Sequence, residues 1–157
     1  MDTLRVDIKF ETSVGAAHPE LTLEILINEE IIAPGFPIAI LELHDSVHKS
    51  GIFFIWTCSC GVPACGGIHF GVSVAHTTDS VSWQVPKVPL AHETHFSFDR
   101  TDYTTVVMMA LKEYLKYIKA YSAANIRFDA CHDWELDGLL ERMAKKQYPS
   151  PRAASTP

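Results

Sequence analysis

Positive charge is scarce in this sequence, in which 13 lysines and arginines stand against 19 aspartates and glutamates, for a formal net charge of −6. Binding nucleic acid requires a basic face that neutralises phosphates, so nucleic acid is set aside as a partner. The late basic residues Arg142, Lys145, Lys146 and Arg152 read instead as a helix end and a tail. Long apolar runs are also missing. Ile52-Phe53-Phe54-Ile55-Trp56 is far short of the roughly 18 residues that span a bilayer, and it reads as a buried strand. Met1-Asp2-Thr3-Leu4-Arg5 shows no basic segment leading into an apolar stretch, so a cytoplasmic location with reduced thiols is expected. The sequence has no phosphate-cradling glycine motif, no Gly-x-Ser-x-Gly elbow, no His-Glu-x-x-His helix and no repeat of solenoid period.

A hydrophobic content of 47% over 157 residues is enough for one continuous core. We read residues 1–147 as a single α+β domain and 148–157, rich in Pro, Ser and Ala, as a flexible tail. Leu4, Val6, Ile8 and Phe10 alternate with Arg5, Asp7 and Lys9, and Leu21, Leu23, Ile25 and Ile27 alternate with Thr22, Glu24 and Leu26, which predicts two antiparallel strands. Ile38 to Lys49 fits a short helix as well as an extended segment, and Ser50-Gly51 ends it. Ile52 to Val74 predicts a hairpin, with Phe54, Trp56, Cys58 and Cys60 on one face and Ile68, Phe70, Val72 and Val74 alternating on the return. Val81, Trp83 and Val85 predict a further strand, and Phe96 with Phe98 a short one, completing a meander.

Tyr103, Val106, Val107, Ala110, Leu111, Tyr114, Leu115 and Ile118 recur at helical spacing, so a long amphipathic helix is expected from about Asp99 to Ser122, with Asp99 as its cap. A shorter C-terminal helix is expected near Asp133, carrying Trp134, Leu136, Leu139, Leu140 and Met143. The fold class is therefore an antiparallel sheet packed by one long helix and a shorter C-terminal one. Trp56, Trp83 and Trp134 each occupy an apolar phase and read as core.

Three of the four cysteines fall in one glycine-rich turn, Thr57-Cys58-Ser59-Cys60-Gly61-Val62-Pro63-Ala64-Cys65-Gly66-Gly67-Ile68. Cys58, Cys60 and Cys65 supply three thiolates that could nearly complete a tetrahedral zinc site, with glycines free to fold around an ion. The fourth ligand is unassigned. His69 is nearest, but strand parity sets it opposite the cysteine face unless a bulge at Gly66-Gly67 re-aims it. His76 has the right parity but lies too far along. Cys131, His132, His92 and His95 are long-range candidates. Three readings stay open: a zinc site, reduced thiols packed as small hydrophobes, and a redox or disulfide role.

Two other constellations have ordinary explanations. His92-Glu93-Thr94-His95 reads as a surface loop, with His95 facing away from Phe96 and Phe98. Cys131-His132-Asp133 resembles a fragment of a nucleophilic triad, but Asp133 is expected as a helix cap, and Asp133, Glu135 and Asp137, which could hold a divalent cation, are expected to complement the helix dipole.

The cysteine turn, together with Val72-Ser73-Val74, Val81-Ser82-Trp83 and Phe96-Ser97-Phe98-Asp99-Arg100-Thr101-Asp102-Tyr103, resembles a family of small bacterial proteins of uncharacterised function. Its members carry Cys-x-Cys-Gly-x-x-x-Cys-x-Gly-Ile followed by Val-x-Val, Val-x-Trp and Phe-x-Phe-x-Arg-x-x-Tyr. The resemblance covers about the middle third of the chain. It implies a single α+β unit with the turn as its hallmark, implies no activity, and does not include His69. The expected function is a non-enzymatic interaction or accessory module of the immunity type, with a protein partner. The alternatives are a structural zinc-binding module and a thiol-dependent enzyme using Cys58, Cys60 and Cys65.

Overall fold

A computed structural model describes residues 1–11, 20–58, 70–87, 90 and 94–123. Alternating apolar residues make β1 (Leu4–Glu11) and β2 (Glu20–Ile27), which pair antiparallel with Leu4 opposite Ile27 and Phe10 opposite Leu21. Leu21, Leu23, Ile25 and Ile27 are buried, while the β1 apolar residues are half-buried against the same core. A two-residue turn follows, with Asn28 and Glu29 both at positive φ (53° and 67°). This is the backbone that matches strand twist in a tight hairpin, and it leads into the short β3 (Glu30–Ile31).

The segment that fitted helix and strand equally well is a helix, α1 (Ile40–His48). It buries Ile40, Leu43, His44, Ser46 and Val47, the spacing of one helical face. Beyond it come β4 (Gly51–Phe53), β5 (Val72–His76), β6 (Ser80–Val85) and β7 (Thr94–Asp99), a four-stranded antiparallel meander in chain order. The three strands before α1 form a separate sheet. Where one sheet was expected there are two. Asp2 joins their edges: its N–H donates to Ser97 O at 2.7 Å, and its carboxylate accepts from Ser97 N at 2.7 Å.

The long helix α2 (Arg100–Ala123) packs on β1, β6, β7 and α1. Asp99 Oδ1 accepts from the backbone N–H groups of Thr101 and Asp102 at 2.8 and 3.0 Å, so it caps the helix as expected. Tyr103, Val107, Ala110, Leu111, Tyr114, Leu115 and Ile118 are all buried. Trp83 centres the core, edge-on to Trp56, Phe98 and Tyr103 at ring-centroid distances of 6.1, 5.5 and 5.9 Å. No helix among the described residues is long and apolar enough to cross a membrane. The expected C-terminal helix and tail lie outside the described residues.

The predicted hairpin from Ile52 to Val74 is shorter than its pattern suggested. β4 ends at Phe53, opposite Val72. The chain then leaves the sheet and runs antiparallel to 37–39 instead: Ala39 N donates to Ile55 O at 2.8 Å, and Thr57 N to Pro37 O at 2.9 Å. Phe53, Ile55, Trp56 and Thr57 are all buried, which no single strand parity allows.

Candidate functional site

The described part of the cysteine turn is its frame. Cys58 is half-buried directly after Trp56 and Thr57, which are 0% and 1% exposed. Its carbonyl accepts from Thr57 Oγ1 at 3.1 Å. On the return, Phe70 stands edge-on to Phe36, and a Cβ at Gly71 would collide with Ile52 Cγ2, so a larger residue there would have to displace the exposed Ile52 side chain. Cys60, Cys65, His69, His92, Cys131 and His132 lie outside the described residues. His95 is on β7 opposite Gln84 and is exposed, as its parity predicted. Because the strand ends at Phe53, parity no longer decides where His69 faces. Trp56 Nε1 is buried and has no hydrogen-bond partner among the described residues.

A second constellation, absent from the sequence reading, lies on α1. Ser46, fully buried, is its hub: Oγ donates to Leu43 O at 2.5 Å and lies 2.6 Å from Tyr103 Oη. Tyr103 Oη also accepts from Trp83 Nε1 at 3.2 Å. Burial pushes the Tyr103 hydroxyl up to about 12, against the smaller opposing effect of its hydrogen bonds to Ser46 and Trp83. It therefore stays protonated near neutrality. On the outer side of the same helix, His76 Nε2 lies 2.8 Å from Ser46 O, and its backbone N–H donates to Ser50 Oγ at 3.0 Å. The β5 histidine weighed as a distant cysteine-site ligand is thus engaged with α1.

His44 and His48 stand one turn apart with their Nε2 atoms 3.2 Å from each other and ring centroids at 4.7 Å. His44 is buried, and its Nδ1 faces Asp45 Oδ1 at 3.4 Å. His48 is exposed. Partial desolvation of its ring on the side that faces α1, then the neighbouring His44, hold His48 below the ordinary imidazole value, with Asp45 opposing this and His76 adding to it. The pair was legible only once the helix was known. Four residues of strand would separate the two histidines by about 13 Å, whereas a helix stacks them on one face.

An open hollow of about 190 Å³ lies between β2 and the segment Ile31–Ile38, with Leu23, Ile25, Ile32 and Phe36 in its walls. It is below the roughly 300 Å³ at which small-molecule sites begin. Among the described residues, no group of three or more His, Cys, Asp or Glu side chains is arranged to hold a metal. No family model, curated protein or solved structure matches the chain significantly.

Proposed function

We propose that the chain is a non-enzymatic interaction or accessory module, of the immunity type, that offers its cysteine turn to a partner protein. The observation that supports this reading is the anchoring of both ends of the turn. Trp56 and Thr57 are sealed in the core and tied to Pro37–Ala39 at one end; Gly71 and Val72 are locked against Ile52 and Phe53 at the other. A recognition segment fixed at both ends loses less conformational freedom on binding than a floppy one. The buried hydroxyls of Ser46 and Tyr103 fit this reading, because they satisfy one another and the Trp83 N–H and so act as structural groups.

The test is purification of the tagged full chain from its native cells, followed by substitution at the apex of the turn. One protein should copurify in stoichiometric amount. Val62→Glu with Ala64→Arg should abolish its recovery while leaving thermal unfolding unchanged. Recovery of the free chain alone, or a partner retained by the turn variant, contradicts the proposal.

A second reading is a structural zinc module of Cys58, Cys60 and Cys65 with a fourth ligand from His69, Cys131, His132, His92 or His95. It is favoured by Cys58, a thiol whose backbone is already fixed by the buried Trp56 and Thr57. Elemental analysis of protein purified without added metal decides it. Stoichiometric zinc whose chelation unfolds the chain supports the reading, and metal-free folded protein refutes it.

A further inference from the structure

The His44–His48 pair has the dimensions of a chelate. Two imidazole nitrogens bound to one tetrahedral zinc at about 2.0–2.1 Å stand about 3.3 Å apart. The Nε2 atoms of His44 and His48 are 3.2 Å apart. Histidines four apart on a helix are a recurrent zinc-binding arrangement, because both rings leave the same face. We infer that His44 and His48 form a two-nitrogen site for a divalent transition-metal ion of the zinc type, separate from the cysteine turn.

Three features of the surroundings fit an ion there. Asp45 faces Nδ1 of His44, and a carboxylate on that nitrogen favours the tautomer with its proton on Nδ1 and its lone pair on Nε2, the usual arrangement behind a metal-bound histidine. His48 closes the last turn of α1, where the helix dipole favours positive charge. His48 is exposed while His44 is buried, so an ion could enter from solvent on one side and be held on the other.

Without metal, one proton is shared across the same 3.2 Å contact, and with His44 in the tautomer that Asp45 favours that proton belongs to Nε2 of His48. Entry of the ion breaks that bond. The proton leaves Nε2 of His48, solvent protonates its Nδ1, and both Nε2 lone pairs turn to the metal, with no net proton released. With only two protein nitrogens, the remaining positions belong to water, so the ion is exchangeable and weaker than one in a four-ligand structural site.

The experiment is a titration of the ¹⁵N-labelled full chain with zinc chloride alone, observed through long-range correlations of the histidine ring nitrogens. Nε2 of His44 and Nε2 of His48 should move together to metal-bound positions, while His48 Nδ1 becomes the protonated nitrogen. His48→Ala, at an exposed position that leaves the core untouched, should weaken this site by more than the roughly 10–100-fold that follows loss of a supporting partner. The readout is residue-specific, so zinc captured by thiols leaves the two imidazoles unmoved. Ring nitrogens that stay fixed as zinc is added, or zinc that still shifts His44 in His48→Ala at the same concentration, overturn the inference.

Discussion

The two polar constellations on α1 differ in one respect: the Ser46–Tyr103–Trp83 network is closed to water, and the His44–His48 pair is open on one side. Sealed polar groups must satisfy one another, because each unpaired buried donor costs about 1–3 kcal/mol. The network consequently joins α1, β6 and α2 and has no hydrogen-bonding group turned outward for a ligand. The half-open pair is held by a weaker constraint and can exchange one partner for another. The difference teaches that chemistry on this helix is decided by which face each residue takes, since Ser46 and His48 are only two positions apart.

The largest expected effect comes from breaking the sealed side. Trp83→Ala removes the ring that Trp56, Phe98 and Tyr103 pack against and should cost about 3–5 kcal/mol in denaturant unfolding. Tyr103→Phe keeps the packing and deletes the hydroxyl, leaving Trp83 Nε1 without its acceptor, so a loss of about 1–3 kcal/mol is expected from the same measurement. A cost below that range would show that the network is not what ties α1 to α2.

A control outside both constellations is Asp99→Ala, which removes the cap of α2 and should cost about 1 kcal/mol by thermal unfolding. The smallest change belongs to the open side. His48→Ala should move stability at neutral pH by no more than about 0.5 kcal/mol, as for other surface substitutions. Its effect lies in the pH dependence. The folded-state proton affinity of His48 is lowered from 6.5, so between 6.5 and that lower value the unfolded chain binds more protons. Wild-type stability should therefore fall as pH drops below 6.5 through the folded value, and His48→Ala should flatten that slope in unfolding curves taken across the window.

Much of the frame was legible in the sequence, for physical reasons that vary along the chain. β1 and β6 alternate cleanly because one face of each strand faces the core, β2 alternates until Leu26 is buried between Ile25 and Ile27, and α2 announces itself through Tyr103 to Ile118 and the Asp99 cap. The segment 54–57 did not, because four neighbouring residues there are buried or half-buried on both sides of the chain, and alternation assumes one wet face. The division into two sheets was invisible because strand alternation does not say which strands pair, and the Asp2–Ser97 bonds that join the two edges link residues 95 positions apart. The cysteines drew attention through their spacing, while His44 and His48 were silent in a segment that fitted helix and strand equally.

The open and sealed sides can be tested together by following the ring nitrogens of His44 and His48 and the Tyr103 hydroxyl through a pH titration by NMR. His48 should titrate below 6.5 with its Nε2 shared with His44, and Tyr103 should not ionise until about 12. A His48 that titrates at or above 6.5, with its two ring nitrogens behaving as in a free imidazole, would contradict it.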